Sequence, residues 1–245
     1  MASHDPPTPS GPTARFEPTP APSSPPSSEQ VLADRARSLA GRDLAWVASR
    51  CGWPVPDSLR RDKGWVGHLL EHVLGATASS RAEPDFPHLG VELKTLPVRP
   101  DGRPRQSTYV CTAPLDGTMA RSWEDAWVRG KLSRVLWVPI LFEDGAAVGE
   151  RRIGTPYLWS PSEQEEAQLR ADWESLRELI ATGELWHLDA RHGQALQLRP
   201  KGARASERQW ILDQHGELVR DTRRGFYLRP SFTGAVLARA LRVRW

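Results

Sequence analysis

Asp85, Glu92 and Lys94 carry the densest chemistry in this chain, within Asp85-Phe-Pro-His-Leu-Gly-Val-Glu92-Leu-Lys94. From Gly90 to Leu96 the residues alternate with the period of a strand. Glu92 and Lys94 therefore share one face, with Val91, Leu93 and Thr95 on the other. Pro87 and Gly90 supply a turn that folds Asp85 back toward Glu92. Two carboxylates and a backbone carbonyl suit Mg²⁺, a hard cation that takes oxygen ligands and keeps several waters. A neighbouring lysine can orient the attacking water and offset charge on a phosphate. The pattern points to metal-dependent phosphodiester hydrolysis, although Glu-x-Lys by itself also fits a cross-strand ion pair.

These side chains need a strand, a turn and covering helices to place them. Residues 1–26 are rich in Pro, Ser and Thr and hold almost no large apolar side chain, the composition of a disordered tail. Order is expected from Ser27, which forms a capping-box pattern with Gln30 and opens a helix that Gly41 stops. A second helix is expected over about 43–51. A third, over about 63–74, carries Val66, Leu69, Leu70, Val73 and Leu74 as one apolar stripe closed by Gly75. Glu71 sits beside that stripe, at the core boundary, where a carboxylate needs a partner. Strands are expected near 90–97, 107–113, 134–142 and 153–159. A long helix follows from a Ser160/Glu163 capping box to about 181. Short strands near 184–189, 194–199 and 225–229 precede a C-terminal helix from about 232. The whole reads as one α/β domain over 27–245, with a mixed sheet flanked by helices.

The bulk properties narrow the class. The chain has 245 residues, enough for one large domain or two lobes with a real core, and a net charge of +3, which permits a nucleic-acid partner. Cys51 and Cys111 make neither a disulfide framework nor a zinc-ligand spacing, so both are expected as buried, reduced thiols. Without a signal-like or spanning apolar run, the sequence reads as a soluble cytoplasmic protein. The eleven tryptophans sit mostly in periodic segments and are expected in the core. His68-Leu-Leu-Glu71-His72 matches the inverted zincin pattern, with two histidines one helical turn apart. The motif is short and needs a third ligand, so it reads as two incidental histidines on an amphipathic helix.

Longer segments carry a resemblance. Arg61-Asp-Lys63-Gly-Trp-Val-Gly, Leu-Leu-Glu71, Asp85-Phe and Leu-Gly-Val-Glu92-Leu-Lys94-Thr come first. Tyr109-Val-Cys-Thr-Ala-Pro-Leu, Lys131-Leu, Arg134-Val-Leu-Trp-Val-Pro, Asp172-Trp-Glu, Leu198-Arg-Pro-Lys201 and Arg224-Gly-Phe-Tyr227-Leu follow. In that order, from about residue 27 to the C-terminus, the chain resembles the MutH family, the strand-nicking endonucleases of methyl-directed mismatch repair.

The resemblance implies a restriction-endonuclease-like fold, two lobes around a DNA cleft, and Mg²⁺-dependent nicking of the unmethylated strand at hemimethylated d(GATC). It implies that Asp85, Glu92 and the Leu93 carbonyl bind metal, that Lys94 handles the attacking water and that Glu71 is an additional acidic residue. Lys63 and Lys131 match basic positions of the family's active-site and DNA-contacting set. Arg199, Lys201 and Tyr227 match the lobe that reads DNA and senses methylation, where N6 of adenine is exposed in the major groove. A MutL-type ATPase is implied as activator, recruited through MutS, with the nuclease itself a monomer. The Gly-Ala-Arg-Ala-Ser-Glu-Arg-Gln run after Lys201 is more basic than the family pattern suggests, and the Pro-rich tail is additional. The nearest rival is a type II restriction enzyme cutting both strands of GATC, which would need two opposed active sites and hence a dimer. A catalytically silent DNA-binding module is the rival from another class.

Overall fold

The computed structural model describes residues 24–78, 83–182, 184, 192–201, 208–213 and 215–242. Most of the expected tail, residues 185–189 of the strand expected near 184–189 and residues 202–207 of the basic run lie outside the described residues.

The three N-terminal helices form where the apolar spacing places them. Helix α1 (Glu29–Ser38) buries Leu32, Ala33 and Ala36. Its cap is Ser28, one residue after the expected Ser27: the Ser28 hydroxyl accepts from the Val31 amide, while Gln30 bonds Asp34. Helix α2 (Leu44–Arg50) is capped by Asp43, and α3 (Trp65–Leu74) buries Val66, Leu69, Leu70 and Leu74 before Gly75 ends it. The long helix α5 is Glu163–Ala181. Its capping box is Ser162 with Glu165, two residues beyond the expected pair, because Pro161 separates Ser160 from the helix. The C-terminal helix α6 (Pro230–Leu241) begins on its proline, which suits the first helical turn.

Strand β1 (Glu92–Val98) runs parallel to β3 (Val135–Leu141), with Glu92 opposite Val135. The β3 sequence Val-Leu-Trp-Val-Pro-Ile-Leu is a continuous apolar run because both of its faces are covered. The strand expected over 153–159 is two, β4 (Arg152–Ile153) and β5 (Tyr157–Trp159), each antiparallel to β3 and separated by Gly154-Thr155-Pro156. A second sheet orders β2 (Thr108–Thr112), β9 (Arg224–Leu228) and β6 (Leu196–Pro200), all antiparallel. Between β6 and β9 the chain makes a separate two-stranded ribbon, β7 (Arg208–Leu212) and β8 (Leu218–Thr222). Helix α4 (Trp127–Leu132) was not legible in the sequence: it spans six residues, lacks a side-chain cap and contains Gly130.

Two apolar cores lie on opposite sides of the β1–β3 pair. Leu93, Leu136, Val138 and Ile140 join α1, α2 and α3 in one. Leu96, Val98, Val135 and Trp137 join β2, α4, α5, β6, β9 and α6 in the other. Burial of about 25 cal/mol per Å2 of apolar surface on both faces makes this pair the rigid spine on which the chemistry is mounted. Trp123, Trp137, Trp159 and Trp173 are core residues as expected, but Trp127 and Trp210 are 41% and 51% exposed. Both cysteines are free, Cys111 buried and Cys51 half-buried. Among the described residues no helix is long and apolar enough to cross a membrane.

Candidate active site

The site is assembled at the start of β1. Phe86 and Val91 pair across a tight return that contains the Pro87–Leu89 turn and Gly90, whose φ of 66° favours glycine. That return carries Asp85 back along the strand, where its Oδ2 accepts from the Leu93 amide at 2.7 Å. The Asp85 carbonyl accepts from the amides of Thr77 and Ala78, just past the end of α3, and so ties the aspartate to the helix that bears Glu71. Glu71 and Asp85 border a common cavity of about 560 Å3.

Glu92 is 5% exposed and is gripped from both sides. Lys94 Nζ donates to Oε1 at 2.7 Å, and Lys131 Nζ donates to Oε2 at 2.9 Å and to the Glu83 carbonyl at 2.7 Å. Lys131 comes from α4, on the core side that Glu92 and Lys94 face. Its ammonium also lies 5.1 Å from the centre of the Trp127 ring. The resemblance matched Lys131 to the family's active-site and DNA-contacting basic positions, and the fold sets its ammonium on the Glu92 carboxylate.

The remaining carboxylates are under electrostatic stress. Burial pushes the Asp85 carboxyl above its ordinary value, and the neighbouring Glu92 charge adds to this against the Leu93 amide and the two lysines. Glu71 is pushed up by burial first and then by Asp85. Three carboxylates against two ammoniums leave one net negative charge when all are ionised. This excess, on hard oxygen donors, fits a divalent cation that binds through oxygen and keeps waters. Among the described residues no three His, Cys, Asp or Glu side chains group as a metal cage, neither around His68-x-x-Glu71-His72 nor from Glu71, Asp85 and Glu92. His72 instead stacks on Trp53 at 5.2 Å. Lys63 is exposed in the turn before α3.

The other expected residues gather on one face of the β2–β9–β6 sheet. Tyr109 and Tyr227 are cross-strand partners with ring centres 5.3 Å apart. Burial raises the Tyr227 hydroxyl above its ordinary value. The Lys201 ammonium lies 3.8 Å from the centre of the Tyr109 ring, and Arg199 donates to Ser107 Oγ at 2.9 Å while reaching over Tyr227. Gln197 donates to the same Ser107 hydroxyl. Ser107 and Gln197 escaped sequence reasoning, and only their cross-strand neighbours mark them. Asp172 escaped it as well: it is 6% exposed on α5, and its carboxylate accepts from the Gln194, Ala195 and Leu196 amides that lead into β6.

A cation-rich aromatic face beside a buried carboxylate–lysine cluster is an arrangement for holding and cutting a polyanion. Comparison with known proteins agrees. A family model described as DNA mismatch repair enzyme MutH matches residues 74–172. A DNA mismatch repair protein MutH of Klebsiella pneumoniae (strain 342) is 52% identical over 91% of this chain and 96% of its own length. The proteins of the same name from Shewanella amazonensis and Vibrio cholerae are 50% and 49% identical, over 88% and 87% of this chain and 96% and 97% of their own. With half of its residues shared along nearly the whole length of these relatives, the chain belongs to the MutH family of DNA mismatch repair enzymes.

Proposed function

We propose that this chain is the mismatch-repair endonuclease that nicks the unmethylated strand at hemimethylated d(GATC), acting in the cytoplasm as a Mg²⁺-dependent monomer. The observation that carries the reading is Glu92, a buried carboxylate held by Lys94 and Lys131 beside the stressed carboxyls of Asp85 and Glu71. Asp85, Glu92 and the Leu93 carbonyl would hold the metal. Bound there, Mg²⁺ would supply Lewis acidity, making water a usable nucleophile near neutral pH and neutralising charge on the phosphate. Lys94 orients the water that forms the new P–O bond as the bond to one deoxyribose oxygen breaks. Lys131 holds Glu92 in place and balances its charge, and Glu71 adds a further acidic group at the cavity. Lys63, exposed ahead of α3, would meet the strand's phosphates.

Arg199, Lys201 and Tyr227 read the duplex from the second sheet. A methyl on adenine N6 removes one donor hydrogen and adds bulk in the major groove, and a rigid Tyr109–Tyr227 surface is suited to sense both. The β1–β3 pair between the two cores then carries the catalytic cluster and the β2–β9–β6 sheet supplies the reading surface, with a MutL-type ATPase as activator and MutS acting upstream of it. The test is plasmid nicking in Mg²⁺ on unmethylated, hemimethylated and fully methylated GATC, with and without that activator. Nicks confined to the unmethylated strand and stimulated by the activator are expected. Methylation-blind double-strand cutting would assign the chain to restriction instead, and absence of cleavage under every condition would leave a DNA-binding module.

A further inference from the structure

The β7–β8 ribbon takes no part in the site described above, yet its two faces are chemically sorted. Opposite residues in the ladder share a face, so Arg208, Trp210 and Leu212 lie with Thr222, Arg220 and Leu218. The other face turns inward: Ile211 is 1% exposed, and Gln209 donates to the Ala113 carbonyl. On the outer face Trp210 is 51% and Leu218 54% exposed, both Arg208 and Arg220 are exposed, and none of the six described ladder residues is a carboxylate. Asp221 belongs to the inner face, and Asp213 is engaged in the turn, accepting from the His215 and Glu217 amides. The Arg220 guanidinium lies 5.2 Å from the centre of the Trp210 ring. Stacking of that kind leaves the N–H edge of the guanidinium for a phosphate.

The ribbon is also in the right place. It is the excursion the chain makes between β6, which ends next to Lys201, and β9, which carries Tyr227. The Lys201 amide bonds the Arg223 carbonyl at 2.6 Å and fixes the base of the ribbon to the end of the reading strand. Two antiparallel strands about 4.8 Å apart fit a major groove about 12 Å wide. Five residues at about 3.4 Å each span roughly five base pairs.

We propose that this ribbon is a second DNA contact, gripping duplex that flanks the recognition tetranucleotide. Arg208 and Arg220 meet backbone phosphates and Trp210 packs against deoxyribose. The contact is sequence-independent; it extends the footprint and the residence time rather than choosing the site. It rests on the reading of the chain as a DNA-binding enzyme.

The experiment is equilibrium binding by fluorescence anisotropy in EDTA, comparing a GATC duplex of about 10 base pairs, one helical turn, with one of about 30. The proteins are wild type, Trp210→Ala, Arg208→Ala and Arg220→Ala, each with its urea midpoint checked against wild type. On the long duplex each variant is expected to bind about 3- to 10-fold more weakly, and each arginine variant to lower the salt slope by about 0.9, one phosphate contact. On the short duplex the variants are expected to match wild type. An unchanged long-duplex affinity and salt slope would overturn the proposal, as would equal losses on both lengths. Intact DNA binding with lost stimulation by the activating ATPase would overturn it too and reassign the face to a protein. A wild type that binds GATC and scrambled 30-mers equally, with the ribbon-dependent loss retained, would sink the sequence-specific reading and leave the ribbon contact standing.

Discussion

Replacing Asp172 with alanine should be among the most damaging single changes outside the Glu92 cluster. Its carboxylate accepts from the Gln194 amide at 3.0 Å, the Ala195 amide at 2.6 Å and the Leu196 amide at 2.8 Å. Ala195 and Leu196 are 1% and 0% exposed, so in Asp172→Ala no water replaces the lost acceptor for those two donors. Gln194 is exposed and can turn to solvent. Two orphaned amides at about 1 to 3 kcal/mol each give an expected loss of roughly 2 to 6 kcal/mol, a large share of a total near 5 to 15. Both buried amides donate to the same oxygen, Oδ2, so Asp172→Asn can keep that acceptor and should lose well under half as much. Urea titration measures this as a fall in midpoint with an unchanged slope. The segment feeds β6, which carries Arg199 and ends next to Lys201, so DNA affinity should fall alongside stability while the Glu92 cluster stays intact. A loss below about 1 kcal/mol in Asp172→Ala would refute the account, because it would mean that the three amides find other acceptors.

Glu92→Gln should reduce nicking at least about 100-fold while DNA binding in EDTA remains, since it removes the charge that Lys94 and Lys131 pair with; near-normal turnover would contradict the assigned role. Mg²⁺ at about 100 times its dissociation constant should stabilise wild type by about 2.7 kcal/mol in a thermal melt; the same rise in Asp85→Asn would place the ion elsewhere. Glu71 has a raised carboxyl pKa in the folded protein, so its stability contribution is present in acid and lost as pH rises through that folded value. Metal-free Glu71→Gln should therefore be more stable than wild type at neutral pH, with the gap closing on acidification; a gap that widens in acid would reverse the sign. Burial pushes the Cys111 thiol to about 12, so iodoacetamide at neutral pH should leave it unlabelled in the native protein and label it after denaturation, as mass spectrometry would read. Gly225→Ala would put a Cβ 2.8 Å from Tyr109 Cε2 and 2.9 Å from the Cys111 carbonyl oxygen. GATC affinity should fall more than single-turnover rate, and equal effects would detach Tyr109 from DNA reading.

Local patterns were legible wherever a segment's own neighbours decide its structure. The α3 stripe, the Glu92/Lys94 alternation and the Pro87–Gly90 return were read correctly because helix period, strand period and turn chemistry act within a few residues. The caps of α1 and α5 slipped by one and two residues, since several hydroxyls compete near each helix start and backbone geometry selects among them. The resemblance along the whole chain supplied the family in advance, and with it the residues proposed for catalysis.

What tertiary structure alone decided is which distant groups meet. Lys131 is 39 residues from Glu92, and only the docking of α4 beside β1 brings its ammonium to the second carboxylate oxygen. Asp172 is more than 20 residues from the amides it satisfies, and neither partner announces the other in the sequence. Trp210 has the composition of a core residue, yet the ladder register puts it on the outer face with Arg208 and Arg220. The physical reason is the same in each case. Periodicity and turn preference are short-range, whereas burial, ion pairing and the facing of a ribbon depend on contacts that exist only once the chain has closed its long loops.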